Sequence, residues 1–182
     1  KVNVETVKFN NMYGMEIVGT LFTPKQMGNG KKYPALVVGH PFAAVRQQAA
    51  NLYATKMAEA GFVTLSFDQM FWGESGGSPR GAVLPDLYVE SFSAGVDYLG
   101  TRPFIDREKI GVIGICGSGG FAIAATKEVA PSRCYTDTAY AMAAEPKELV
   151  VIEGANRIDL YDRTEMIPWN KLTSFFERHL NK

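Results

Sequence analysis

The sequence has few of the residues from which metal sites and disulfide frameworks are built. Its 182 residues include two cysteines, Cys116 and Cys134, and two histidines, His40 and His179. The cysteines form no CxxC pair and lie in no histidine-rich spacing, which argues against a structural zinc site. A chain with one possible disulfide is typical of a reducing compartment. No metal is therefore expected, and the cytoplasm is the predicted location.

An excess of charge of one sign and long apolar runs are also missing. Nineteen Lys and Arg residues balance nineteen Asp and Glu residues, so no overall field favours nucleic acid or an anionic membrane as a partner. No apolar run approaches the ~20 residues that span a bilayer, and the first residues show no signal-peptide core. Repeats and linkers are absent, which predicts one domain over residues 1–182 with a small molecule as its partner.

What the sequence does contain is an alternation of strand and helix patterns. Residues 4–11 and 15–24 alternate apolar and polar positions around a turn, as an antiparallel hairpin does. Four apolar runs predict buried strands, at 33–39, 62–68, 109–116 and 148–154. Helix patterns lie between and after them, at 46–61, 86–103, 119–130 and 169–180. A shorter helical stretch is predicted at 137–144. This order predicts a three-layer α/β/α sandwich whose sheet is mainly parallel, with an antiparallel N-terminal hairpin.

Cys116 lies where the third parallel strand passes directly into a helix. Functional sites of such sheets gather beyond the carboxyl ends of the strands. Gly114 and Gly117 leave room for a tight turn that lifts the Cys116 side chain above the sheet. A thiol there faces the positive end of the helix dipole, which favours the thiolate. The position therefore favours a reactive cysteine over a small buried one.

The stretch GICGS, residues 114–118, resembles the nucleophile elbow of the α/β-hydrolase superfamily, G-x-[S/C]-x-G. Within that superfamily it is most similar to the dienelactone-hydrolase-like branch, which uses cysteine. Ser118 stands where the last glycine of the pattern is expected, so a frame shifted by two residues would make Ser118 the nucleophile instead. The resemblance implies an abbreviated α/β-hydrolase fold and hydrolysis of an ester, lactone or thioester, with no metal or organic cofactor.

Two further segments carry the same resemblance. Residues 37–48, VVGHPFAAVRQQ, look like the oxyanion loop after the family's third strand, and residues 67–77 resemble its D-x-x-x-x-G-x-S segment. The likeness implies that the backbone N–H groups of Phe42 and Gly117 hold a developing oxyanion. Pro41 cannot donate, so Phe42 or Ala43 is the contributor from this loop.

The catalytic base and acid depart from the family pattern. Where the family has G-A-x-H-x-D-L-Y, residues 154–161 read GANRIDLY, so Arg157 stands in place of the histidine. Arginine stays protonated near neutral pH and cannot act as a base. His40 in the oxyanion loop is the substitute candidate. The acid candidates are Glu128, Asp137 and Asp159, each of which also fits a solvated loop or helix-cap residue.

The chain is also shorter than the family pattern between the elbow and the last predicted strand. Roughly a hundred residues, which carry two strands and a cap in the family, have no counterpart here. The sequence thus predicts a hydrolase with Cys116 as nucleophile and leaves open two alternatives. One is a catalytically impaired protein that serves as a binding or scaffold module. The other is a homo-oligomer in which a second copy covers the exposed sheet edge.

Overall fold

The structure is a computed structural model that describes residues 2–126, 145–156 and 158–180. In chain order its elements are β1 Val2–Asn10, β2 Glu16–Pro24, β3 Tyr33–Gly39, α1 Ala49–Glu59, β4 Val63–Phe67, α2 Pro85–Gly100, β5 Ile105–Gly114, α3 Ser118–Thr126, α4 Asp159–Asp162 and α5 Trp169–Leu180. The predicted helical stretch at 137–144 lies outside the described residues.

The described strands form one five-stranded mixed sheet in the order β1-β2-β4-β3-β5. β1 and β2 pair antiparallel over their whole length, from Val2 opposite Pro24 to Asn10 opposite Glu16. β2 also runs antiparallel to β4, whereas β3 runs parallel to both β4 and β5. The predicted α/β fold with its antiparallel N-terminal pair is confirmed.

Side chains of the central strands separate into two apolar cores because successive residues of a strand point to opposite faces. On one face, Val37 and Phe67 pack with residues of α2 and α3, among them Phe92. On the other face, Leu36 and Val38 pack with side chains of α1 and α5. Helices therefore cover both faces of the sheet, as the alternation of strands and helices predicts.

The first helix starts later than its sequence pattern predicts. α1 begins at Ala49, not at Arg46, because the backbone N–H and the side chain of Arg46 are bound by groups on other elements. The helix ends at Glu59, and Gly61 follows with a φ of +107°, a conformation that glycine adopts readily. The predicted closure at Gly61 is confirmed.

The predicted strand at 148–154 is wrong. Residues 147–152 adopt neither helix nor strand, and the Val151 side chain is 75% exposed. An apolar, β-branched segment becomes a strand only where a neighbouring strand is available to pair with it. Within the described ranges, β5 pairs with β3 alone, and residues 148–150 and Ile152 line a cavity together with residues of β5.

The described helices have no membrane-crossing candidate, since none is both long and apolar enough to span a bilayer.

Candidate functional site

Strained backbone conformations gather at one edge of the sheet. Three described residues other than glycine have positive φ: Ala43 at +55°, Phe71 at +72° and Cys116 at +55°. They follow β3, β4 and β5 respectively, so all three lie beyond the carboxyl ends of the parallel strands. Such conformations cost of order 1–3 kcal/mol each and concentrate at functional sites. This edge is therefore the candidate active site.

Cys116 lies at the predicted strand-to-helix turn. β5 ends at Gly114 and α3 begins at Ser118, whose N–H donates to the Ile115 carbonyl at 3.2 Å. A Cβ on Gly114 would collide with the Ser118 carbonyl, and one on Gly117 would collide with the Phe42 ring. Gly114 is thus required, because the obstacle there is backbone, whereas a side chain at position 117 would have to displace the Phe42 ring. The Cys116 side chain is exposed, as a nucleophile must be.

Ser118, the alternative nucleophile, faces into the protein. It is 3% exposed, and its hydroxyl donates to the carbonyl oxygen of His40. This hydrogen bond links the start of α3 to the loop after β3. In this arrangement the Ser118 hydroxyl has a structural role and the Cys116 thiol lies at the surface.

The loop after β3 places Phe42 beside the elbow. Its side chain is 44% exposed, and its ring contacts the rings of Phe121 and Tyr88 at centroid distances of 5.6 and 6.3 Å. Within the described part of the chain, the backbone N–H groups of Phe42 and Gly117 donate to no acceptor. Two backbone donors without acceptors are therefore present on the two segments that flank Cys116.

His40, the alternative base, has both ring nitrogens in use. Nε2 accepts the backbone N–H of Gln69 at 3.0 Å, which requires the proton on Nδ1, and Nδ1–H donates to the Pro41 carbonyl at 2.7 Å. The residue is 2% exposed, and burial lowers the pKa of its imidazole below the usual 6.5. His40 is therefore a neutral residue that fixes the loop, and in this arrangement it is not poised to take a proton from Cys116.

A buried ion pair, which the sequence patterns did not reveal, supports the same loop. Asp68 is fully buried and accepts hydrogen bonds from the Arg46 backbone N–H at 2.7 Å, the Arg46 guanidinium and the Glu74 N–H at 3.0 Å. Arg46 also bonds Thr20 Oγ1 at 3.1 Å and the Glu74 carboxylate. The signal available in the sequence was an aspartate directly after a buried strand, within the segment that resembles D-x-x-x-x-G-x-S.

A cavity of about 960 Å³ opens beside Cys116. Its lining comes from residues 112–116 of β5 and the elbow, from residues 148–150 with Ile152, and from residues of α1, α4 and α5. We call this space the β5 cavity.

The segment that leads into α4 is held by a compact set of hydrogen bonds. Asp159 is 8% exposed, and its Oδ2 accepts the Asn156 N–H at 2.8 Å. Asn156 Oδ1 in turn accepts the N–H of Ile158 at 3.0 Å and that of Asp159 at 3.2 Å. Arg163 Nη1 lies 3.3 Å from Asp159 Oδ1. The hydrogen bond from Asn156, together with Arg163, holds the pKa of Asp159 below its ordinary 3.8.

This shift predicts a pH-dependent contribution to stability. A carboxylate whose pKa is lowered in the folded state stabilises the protein at pH values above its unfolded-state pKa. This contribution is lost as the pH falls through the folded-state pKa. Asp159→Asn should therefore lower the free energy of unfolding at about pH 7, and the difference from the native protein should vanish as the pH falls below 3.8. Urea unfolding of both proteins at a series of pH values across this range measures the difference in the free energy of unfolding. Asp162→Asn, an exposed position in the same helix, is the control, and an equal effect there would contradict the assignment.

Three residues singled out by the sequence lie outside the described residues: Arg157, Glu128 and Asp137. Their roles remain predictions. Ile152 and Leu160, which the structure does describe, line the β5 cavity together with Cys116. Among the described residues there is no group of three His, Cys, Asp or Glu side chains that could hold a metal ion.

The five-stranded sheet, the sharp turn after β5 and the adjoining loop after β3 define an α/β-hydrolase fold. The sequence profile of the dienelactone hydrolase family matches residues 17–158. The chain belongs to the dienelactone hydrolase family.

Known proteins similar to this chain include an uncharacterised bacterial one. PA2218 of Pseudomonas aeruginosa is 31% identical, and the alignment covers 99% of this chain and 82% of that protein. The alignment runs over 304 positions, so more than 120 of them have no residue of this 182-residue chain opposite. The crystal structure of PA2218 superposes with a TM-score of 0.91 at 30% identity, over 99% of this chain and 94% of the crystallised one.

Proteins with hydrolase names match a smaller part of this chain. The thiohydrolase aneE of Aspergillus aculeatus is 35% identical over 65% of this chain, which spans 36% of the length of aneE. An acetyl xylan esterase from Paenibacillus sp. R4 superposes with a TM-score of 0.58 at 22% identity, over 68% of this chain and 44% of the esterase. At that identity the likeness concerns the fold. The chain thus has the α/β-hydrolase fold, belongs to the dienelactone hydrolase family and is similar to a protein named a thiohydrolase.

Proposed function

We propose that the protein cleaves carboxylic esters or thioesters through an acyl intermediate on Cys116. The observation that carries the proposal is the elbow itself: an exposed thiol at a φ of +55°, flanked by the N–H groups of Phe42 and Gly117, which have no acceptor within the described chain. Strain of this kind persists where the surrounding structure enforces it, commonly for function. The relative aneE, named a thiohydrolase, supports thioesters as one substrate class, and lactones are cyclic members of the ester class.

The first half-reaction forms the acyl-enzyme. The Cys116 thiolate attacks the acyl carbon, and the oxyanion accepts hydrogen bonds from the Phe42 and Gly117 N–H groups. When the carbonyl re-forms, the bond from the acyl carbon to the leaving oxygen or sulfur breaks. The leaving alkoxide or thiolate takes a proton from water. The start of α3 favours the attacking thiolate, because the helix dipole is positive at that end.

The second half-reaction releases the acid. Water attacks the acyl carbon, the bond to Cys116 Sγ breaks, and a proton of the attacking water passes to the solvent. This step needs a base to activate water. Arg157 stands in place of the family's histidine, and His40 already uses both ring nitrogens. We therefore expect acylation to outpace deacylation, so that the acyl-enzyme accumulates.

Accumulation of the acyl-enzyme is a direct test of the proposal. With excess p-nitrophenyl acetate, the protein should release a burst of one equivalent of nitrophenolate and then turn over slowly. Intact-mass and peptide analysis should place one acetyl group on Cys116. Cys116→Ala should show neither burst nor adduct, whereas Cys134→Ala, the matched control, should show both.

Other outcomes favour the alternative. Acetyl groups on lysines or on Cys134, with Cys116 unmodified, would contradict a nucleophilic Cys116. The arginine in place of the family's histidine would then support a hydrolase-fold protein that binds ligands without turning them over.

A further inference from the structure

The β5 cavity is continuous with the candidate nucleophile and larger than a short acyl group needs. Cys116 contributes to its wall, and its volume of about 960 Å³ lies near the upper end of the ~300–1,000 Å³ range of ligand pockets. Most of the lining is aliphatic or aromatic, including Ile113, Ile152, Leu160, Leu172 and Phe175. A molecule attached to Cys116 would therefore meet apolar surface.

The described polar side chains of the lining have partners of their own. Glu148 lies 3.7 Å from Lys171 and 3.0 Å from Arg178, and the Tyr53 hydroxyl donates to the Leu160 carbonyl at 2.8 Å. Burial raises the pKa of Tyr53 to about 12, so its hydroxyl stays neutral. The one described cation of the lining, Lys171, thus already has a carboxylate neighbour. This arrangement suits an uncharged group better than a substrate carboxylate.

We propose that the β5 cavity is an acyl-chain site, and that the preferred substrates carry an uncharged alkyl acyl group longer than acetyl. This inference rests on the proposed function, because it takes Cys116 to be the acylated residue. Each methylene moved from water into an apolar site contributes ~0.8 kcal/mol to binding, which equals about a fourfold gain in affinity. The gain ends when the chain fills the cavity.

The test is a chain-length series with two matched variants. The rate of Cys116 acylation should rise by up to about fourfold per methylene from p-nitrophenyl acetate towards the octanoate, then level off. Ile152→Trp, which adds volume on the cavity wall, should shift the optimum to shorter chains, and Ile152→Ala should shift it to longer ones. Val151→Trp is the control, because Val151 is 75% exposed and is not part of the lining.

A binding measurement separates this inference from the proposed function. Cys116→Ala should bind 2-decanone more tightly than 2-butanone. The fluorescence of Trp169 reports binding, since its ring packs 4.9 Å from that of the cavity residue Tyr53, and Trp72→Phe removes the second tryptophan's signal. Suppose that the native protein forms no acyl-enzyme, that Cys116→Ala still binds the longer ketone more tightly, and that Ile152→Phe, which adds volume without a new tryptophan, weakens this binding. That outcome would refute the proposed function and keep the acyl-chain site. Acylation rates that ignore chain length, with Ile152→Trp equal to Val151→Trp, would overturn the acyl-chain site.

Discussion

Replacing Asp68 with alanine should lower the free energy of unfolding by about 3–5 kcal/mol, the usual cost of removing one partner of a buried ion pair. Asp68 is fully buried and the Arg46 side chain is 4% exposed. Without the carboxylate, the Arg46 guanidinium would remain buried with the Glu74 carboxylate and the Thr20 hydroxyl as partners. Urea unfolding followed by circular dichroism measures the change.

Glu74→Ala is the matched control for this prediction. Glu74 binds the same guanidinium, but its side chain is 61% exposed, and exposed ion pairs contribute about 0–1 kcal/mol. Asp68→Asn keeps the size and one acceptor oxygen, so it serves if the alanine variant does not fold. A cost for Asp68→Ala no larger than that for Glu74→Ala would show that the buried pair adds no special stability.

The same substitution should also slow acylation of Cys116. Asp68 Oδ1 accepts the Arg46 N–H at 2.7 Å, and Arg46 follows the loop that carries Phe42 and Ala43. Loss of that bond frees the loop that positions the Phe42 N–H. Acylation should then fall even under conditions where the variant remains folded, and Glu74→Ala should leave it close to the native rate.

The sequence predicted those parts of the fold that depend on local pattern. Buried strands such as β3 and β4 read as unbroken apolar runs because both faces of the sheet are covered. The turn at Cys116 was predictable because glycines flank the cysteine where a strand passes into a helix, and the structure shows that a Cβ at Gly114 would collide with the Ser118 backbone. The family resemblance of the stretch GICGS agrees with that turn.

Non-local contacts explain what the sequence did not predict. Residues 148–154 have strand propensity but pair with no strand in the described chain, and propensity alone does not make a strand. Arg46 fits a helical pattern, yet Asp68, 22 residues away, binds it outside the helix. The role of His40 depends on the backbone N–H of Gln69, 29 residues further on, which no local pattern reveals.

The catalytic base is the point at which one substitution should change the chemistry most. Position 157 itself lies outside the described residues. In the family pattern a histidine follows Gly-Ala-x at this place, where the sequence has Arg157. An imidazole there would supply the proton acceptor that arginine cannot provide.

Arg157→His should therefore raise steady-state turnover of p-nitrophenyl acetate by about 100- to 10,000-fold, the range that general acid–base catalysis contributes. The gain should appear in deacylation, so that the burst merges into a continuous release of nitrophenolate. Because the neutral imidazole is the active form, the rate of the variant should increase with pH and level off above a pKa of about 6.5. Arg157→Gln, which removes the cation without supplying a base, should show no such gain and no such pH profile. Fast turnover by the native protein, unchanged in Arg157→His, would mean that another group acts as the base, and His40→Ala would then test the histidine in the loop after β3.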